Sequence, residues 1–179
     1  LAAADIRTAL YALGQITGRE VTSDVISEGF TEYLLPYYTN MEKNASPMFV
    51  GQFVHDMEKG NPEAFMKRMA VLFADTDYKI VGDAELYFQN AFYLITKLLG
   101  FYTEVEHTIS DGRIDMIAKT QDYIYIFEFK YDQSADAALR QIDEKGYAAP
   151  FASDPRKLYK VGVNFNREKR CIDEWKVKG

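Results

Sequence analysis

Hydrophobic and polar positions divide the chain into a helical first part and a mixed second part. Up to about residue 79, apolar residues recur at helical spacing and are interrupted by Gly14, Pro36 and the turn at 60–62. The pattern predicts four helices, over about residues 3–14, 22–36, 49–57 and 65–73. A stripe of Met and Phe at this spacing is typical of core packing. We therefore interpret residues 1–79 as an all-helical segment with no chemical motif of its own.

From about residue 83 the pattern changes. It predicts an amphipathic helix, three strands, a second helix and two more strands, over residues 83–99, 101–109, 113–119, 123–131, 134–148, 158–165 and 171–177. The pair Asp111-Gly112 is typical of a tight hairpin turn between the first two strands. This αβββαβ order, extended by one strand, predicts an α/β fold with a mixed central sheet flanked by helices. We place the domain boundary between residues 79 and 80.

The third strand carries the most informative residues. Side chains alternate along a strand, so Ile124, Ile126, Glu128 and Lys130 share one face, opposite a row of Tyr and Phe. Because both faces begin apolar, we expect a central strand that is covered on both sides. A carboxylate in such a strand needs a cation or a proton nearby. Glu128 therefore marks a candidate site.

Asp115 lies on the strand before, which the expected antiparallel pairing places beside the third strand. Asp115 and Glu128 can then point into one cavity, where two carboxylates share a proton or bind a divalent cation. Lys130 would add an ammonium group able to hold a water molecule or a phosphate oxygen. The simpler alternative is an ion pair between Glu128 and Lys130 at a strand end, and these residues alone favour it.

Composition limits the kinds of site and compartment. The single cysteine, Cys171, excludes an internal disulfide and a zinc site built from several cysteines, and it suggests a reducing cytoplasm. His55 and His107 have no ligand spacing, so a metal would be held by oxygen atoms. No run is apolar enough to cross a membrane and no signal peptide is evident. Because the chain starts at Leu1 and not at Met, we expect a piece of a longer polypeptide.

Charge and motifs also restrict function. The net charge of −6 argues against a protein that coats nucleic acid indiscriminately, but not against one that cuts it. The chain has no phosphate-binding G-x-x-x-x-G-K-[ST] motif, so no nucleotide-binding residues are assigned.

Four motifs carry a resemblance to a known family: G-R-I-D at 112–115, Y-I-F-E-F-K at 125–130, A-L-x-Q-I-x-x-K-x-Y-A at 138–148 and G-x-x-F at 162–165. With a helix before and after, they resemble the PD-(D/E)XK nuclease superfamily, in particular the domains found C-terminal to AAA-ATPase-like regions. The usual proline before the first acid is replaced by Ile114. The resemblance covers residues 80–179 and implies a restriction-endonuclease-like core. Residues 1–79 look like the tail of the ATPase-like region.

The resemblance implies a nuclease that depends on Mg²⁺ or Mn²⁺ and hydrolyses phosphodiester bonds of nucleic acid, with DNA the expected substrate. It assigns Asp115, Glu128 and the main-chain carbonyl of Phe129 as metal ligands, and Lys130 as the group that positions the attacking water. An acid from the first helix, Glu85, would assist.

The sequence leaves the roles of Gln141, Lys145 and Glu85 open. Gln141 matches a helix glutamine near the metal or the nucleic-acid backbone, with Lys145 on the same helix face. Glu85 could instead be an ordinary first-turn acid, and Gln141 and Lys145 could be solvated.

The sequence also allows a function other than catalysis. The domain could be catalytically silent and bind nucleic acid or a protein partner while keeping the nuclease fold. An ATPase-like region of the same polypeptide is a further expected partner, and the sequence leaves the oligomeric state open.

Overall fold

A computed structural model of the chain describes residues 46–74, 104–106, 116–169 and 171–179, with side chains described from residue 51 onward and not for 104–106. Several predicted features lie outside the described residues: the helices at 3–14, 22–36 and 83–99, the hairpin pair Asp111-Gly112, and the site residues Glu85 and Asp115.

The described residues form three α-helices, one short 3₁₀ helix and five strands. The helices are α1 (Ser46–Glu58), α2 (Pro62–Ala74), α3 (Ala135–Glu144) and the 3₁₀ helix Ala149–Phe151. The strands are β1 (Glu104–Glu106), β2 (Met116–Lys119), β3 (Tyr123–Tyr131), β4 (Lys157–Asn166) and β5 (Cys171–Lys178). The described strands form one sheet in the order β1-β2-β3-β4-β5, in which β3 and β4 are parallel and the other neighbours antiparallel. This mixed sheet confirms the predicted α/β fold and is consistent with a restriction-endonuclease-like core.

Helices α1 and α2 cover one face of the sheet. Phe65 packs against Phe127 of β3 with ring centroids 5.7 Å apart, and Phe73 packs against Phe165 of β4 at 5.6 Å. The Tyr125 hydroxyl, in the middle of β3, donates a hydrogen bond of 2.5 Å to the main-chain carbonyl of Met57. The helices and this sheet face therefore share one hydrophobic core.

Helix α3 covers the opposite face. It crosses from β3 to β4 and packs on both strands. Ile142 of α3 and Tyr147 after it contact Ile126 of β3 in a second, smaller cluster of buried residues. The prediction that β3 is a central strand covered on both sides is confirmed.

The turn between α1 and α2 is fixed by its sequence. Gly60 has a φ of 68°, in the left-handed region that favours glycine, and its α-carbon lies against the Tyr123 ring. Arg68 of α2 donates hydrogen bonds of 2.6 Å to Asp56 and to Gln52 of α1. The two helices are thereby joined by a charged contact as well as by apolar packing.

The end of α3 differs from the prediction. The helix was expected over 134–148, but it ends at Glu144 because Gly146 adopts a φ of 66°. The Gly146 and Tyr147 N–H groups donate to the carbonyls of Asp143 and Ile142, which is the Schellman arrangement that closes a helix. The chain then forms a 3₁₀ turn where only a loop was predicted.

No helix within the described residues is both long and apolar enough to span a bilayer.

Candidate functional site

The candidate site lies where β3 passes under α3. Glu128 follows four buried residues of β3 and is only 2% exposed. Two residues later and on the same face, Lys130 donates a hydrogen bond of 2.9 Å from Nζ to Glu128 Oε1. The side chain of Lys130 is 16% exposed, so the ion pair is almost withdrawn from water. A carboxylate is therefore held in the interior by a lysine from its own strand.

Helix α3 supplies the third member of the cluster. The neighbouring Ile142 is buried against the sheet, which brings Gln141 down towards β3. Gln141 Oε1 accepts a hydrogen bond of 2.6 Å from Lys130 Nζ. We call Glu128, Lys130 and Gln141 the E-K-Q cluster. The structure thus brings together three of the residues that the sequence nominated.

Acidic residues at both ends of α3 are paired with lysines of the sheet. Asp136 accepts a hydrogen bond from Lys176, and Asp143 accepts one from Lys160 and one from Lys178. Hydrogen bonds from Lys160 and Lys178 lower the pKa of the Asp143 carboxyl. Pairs this exposed contribute little to stability. Their effect is to balance the negative charge of Asp136 and Asp143, which lie on either side of the E-K-Q cluster along α3.

Other predicted site residues stand apart from this cluster. The Phe129 ring lies on the opposite face of β3, between Phe127 and Phe165, so only its main-chain carbonyl remains the candidate ligand. Lys145 follows α3 as its exposed C-cap residue, and its main-chain N–H donates to the Gln141 carbonyl as part of the helix end. None of the described side-chain contacts joins Lys145 to the cluster. Asp115 and Glu85 lie outside the described residues.

Comparison with protein-family models identifies a match over residues 83–175, more than half of the chain, to the PD-(D/E)XK nuclease superfamily. The chain belongs to this superfamily. Glu128-Phe129-Lys130 lies within the matched residues and has the form E-x-K, as in the superfamily name. Membership of the PD-(D/E)XK superfamily indicates a nuclease-type function.

One curated relative is described as an uncharacterized protein in the vnfD 5′ region of Azotobacter chroococcum mcd 1. It is 34% identical over 90 residues, which are 49% of this chain and 17% of the relative. This chain therefore corresponds to a small part of that protein's length. No solved structure matches the chain significantly.

The donor set suits a hard divalent cation such as Mg²⁺, which PD-(D/E)XK nucleases usually use. Glu128 offers a carboxylate and Phe129 a main-chain carbonyl, both oxygen donors of the kind that Mg²⁺ prefers. Within the described part of the chain, no group of three or more His, Cys, Asp or Glu residues is arranged to hold a metal.

Two residues beside the E-K-Q cluster had no assigned role in the sequence. Gly162 and Asn164 of β4 are the register partners of Glu128 and Lys130. Asn164 is 4% exposed and accepts a hydrogen bond of 2.9 Å at Oδ1 from the main-chain N–H of Gln133. The signals were a glycine and a polar amide within the buried stretch 161–165 of β4, and their contacts depend on how α3 packs.

Proposed function

We propose that this member of the PD-(D/E)XK superfamily is an active nuclease that depends on Mg²⁺ or Mn²⁺ and hydrolyses phosphodiester bonds, with DNA as its substrate. One observation supports this most directly: Glu128 of the E-x-K element is buried, and Lys130 Nζ contacts both Glu128 and Gln141. A simple surface ion pair would not need a helix glutamine as a second acceptor.

Lys130 has the role of orienting the attacking water. An ammonium group has three N–H donors, and among the described residues two of them are directed at Glu128 and Gln141. The third is available to a water molecule or to a phosphate oxygen. Because Glu128 and Gln141 hold the ammonium from two sides, that donor has a fixed direction, which is what positioning of a nucleophile requires.

Glu128, the Phe129 carbonyl and Asp115 are the proposed metal ligands. Met116 of β2 pairs with Phe127 of β3, next to Glu128 in the chain. Asp115 directly precedes Met116 in the sequence, and it is proposed as a ligand from its place in the G-R-I-D motif. When bound, a divalent cation lowers the pKa of a coordinated water and stabilises negative charge on the phosphate.

The remaining assignments extend the same proposal. Glu85 would contribute a further acid to the metal site, and residues 1–79 would connect the nuclease to an ATPase-like region of the same polypeptide. We place the protein in the cytoplasm.

Cleavage assays test the proposed activity. Single- and double-stranded DNA, and RNA of matched sequence, would be incubated with the protein and Mg²⁺, Mn²⁺ or EDTA. We expect cleavage that needs the metal and is abolished in Lys130→Ala. Lys59→Ala is the matched control, since this exposed lysine follows α1, away from the cluster. Equal cleavage by Lys130→Ala and wild type, or none under any condition, would contradict the proposal.

The net charge of −6 favours a second candidate, a catalytically silent domain that binds a nucleic-acid or protein partner. Calorimetric titration with Mn²⁺ separates the two. An active nuclease should show a binding site that Asp115→Asn or Glu128→Gln removes. A silent domain should show no such site while remaining folded.

A further inference from the structure

Helix α3 approaches β4 at a position that only glycine permits. A Cβ atom built onto Gly162 would lie 3.0 Å from Ala138 Cβ and 3.0 Å from the Leu139 nitrogen, and closer still to the Ala135 carbonyl oxygen. The nearest of these atoms belongs to the helix backbone, which cannot rotate away as a flexible side chain can. The absence of a side chain at Gly162 therefore sets how closely α3 packs on the sheet.

A second residue of β4 fixes the chain that leads into α3. Asn164 Oδ1 accepts the Gln133 N–H, and Asn164 Nδ2 donates a hydrogen bond of 2.9 Å to Asp173. Asp173 lies at a register shift of β5, between Glu174, which pairs with Asn164, and Ile172, which pairs with Phe165. Such irregularities re-aim a side chain. Here the carboxylate of Asp173 is directed at Asn164, and the amide of Asn164 is held in one orientation.

The first turn of α3 is anchored at two further points. Ser134 Oγ accepts the Ala137 N–H at 3.1 Å, and Glu174 Oε2 accepts the Ala135 N–H at 2.9 Å. Gln141 lies six residues after Ala135, roughly 9 Å along the helix axis. With its start held and its underside set against Gly162, α3 has little freedom to shift Gln141 relative to β3.

We propose that Gly162 and Asn164 are positioning residues for the Lys130 ammonium, an inference that rests on the proposed nuclease function. Gly162 and Asn164 of β4 are the register partners of Glu128 and Lys130 of β3. The two residues that hold α3 in place therefore lie directly beside the ion pair that Gln141 contacts. Gly162 sets the height of α3 above the sheet. Asn164 sets the point at which α3 begins. Together they keep Gln141 within hydrogen-bonding distance of Lys130.

Gly162→Ala is the direct perturbation. To restore ordinary contact with the added methyl group, α3 must move away from β4 by roughly 1 Å, and a hydrogen bond of 2.6 Å does not survive such a shift. We expect kcat to fall by roughly 10- to 100-fold, as for other misplacements of about 1 Å, while KM changes little. Gly51→Ala is the matched control, since a methyl group at Gly51 meets nothing within 4 Å.

A double-variant comparison separates positioning from general damage. Gln141→Met removes the acceptor and keeps a side chain of similar length. If Gly162 acts through Gln141, then Gly162→Ala should slow cleavage far less in the Gln141→Met background than in the wild type. Independent, additive losses would overturn the proposal. So would a rate for Gly162→Ala equal to that of Gly51→Ala.

A second measurement does not depend on nuclease activity. Proton exchange of the Lys130 ammonium group with water, followed by NMR, should become roughly tenfold faster in both Gly162→Ala and Gln141→Met, as expected for the loss of one charged hydrogen bond. Unchanged exchange in Gly162→Ala would overturn the positioning role. Absent cleavage by a wild type whose exchange responds as expected would instead refute the proposed function alone.

If Gly162→Ala does not fold, Asn164→Ala tests the same positioning role. Asn164→Ala adds no volume and removes the acceptor for the Gln133 N–H. It should speed exchange at Lys130 in the same direction, and wild-type exchange and cleavage in Asn164→Ala would overturn the proposal.

Discussion

Removing the lysine of the E-K-Q cluster should destabilise the fold, and removing the glutamate as well should restore it. In Lys130→Met the Glu128 carboxylate, 2% exposed, loses the cation 2.9 Å away. Two unit charges at that distance attract by roughly 6 kcal/mol at an effective dielectric constant of about 20. Desolvation offsets part of this attraction, and removing one partner of a buried pair costs about 3 to 5 kcal/mol. Because Lys130 keeps some contact with water, we expect about 3 kcal/mol.

The double variant Lys130→Met/Glu128→Gln removes the buried negative charge together with the lysine. Its amide is neutral and close to the carboxylate in shape, so we expect its unfolding free energy to lie within about 1 kcal/mol of the wild type. Cleavage should stay absent in both variants. Urea unfolding followed by circular dichroism gives the midpoints, and an unchanged m-value shows that the same amount of surface unfolds.

Two results would refute this reasoning. The first is a Lys130→Met protein whose stability is within about 0.5 kcal/mol of the wild type, the range usual for surface substitutions. The second is a double variant no more stable than Lys130→Met. Either would mean that Glu128 does not depend on Lys130 in the folded state, and that the cluster is not the tightly coupled unit on which the proposed mechanism relies.

Two predictions concern helices α1 and α2. Tyr125→Phe should lower stability by about 1 kcal/mol, since the hydroxyl donates to the Met57 carbonyl. Burial raises the pKa of Tyr125, so the wild type should lose stability as pH rises above about 10, where the phenol ionises in the unfolded chain. Tyr125→Phe should lose less stability over the same pH range. Urea midpoints at pH 8 and pH 11 measure both losses, and equal losses in the two proteins would contradict this prediction. Arg68→Met should lower the melting temperature, because it removes the guanidinium that pairs with Asp56, whose side chain is only 8% exposed. The double variant Arg68→Met/Asp56→Asn should recover most of this loss. A double variant that melts no higher than Arg68→Met would contradict the pairing.

Local sequence patterns were sufficient for β3 and insufficient for the end of α3. The apolar and aromatic run, with Glu128 and Lys130 near its end, predicted β3 with the bounds that the structure shows, Tyr123–Tyr131. For α3, the predicted helix continued to residue 148, because the loop at 150–155 was the expected end of the helix. In the structure Tyr147 is buried against Ile126 although the helix has already ended at a glycine cap. Periodicity reports which residues face the core, and a closing turn can satisfy it as well as a helix can.

Only those parts of the site that follow from neighbouring residues or from a sequence motif could be predicted. Glu128 and Lys130 were placed on one face by strand alternation, and Gln141 was nominated by its family motif. The roles of Gly162 and Asn164 could not be inferred, because they follow from how closely α3 lies on β4 and from a register shift in β5. Asp115 and Glu85 stay predictions, since they lie outside the described residues.

The core that α1 and α2 share with the sheet determines where this part of the chain can be divided. Those helices cover Tyr125, Phe127 and Phe165, which are buried at the centre of the sheet. A polypeptide that began after α2 would present these aromatic rings to water as one continuous apolar surface, of the kind that drives aggregation. A portion of the chain meant to stay soluble should therefore include α1 and α2 together with the sheet.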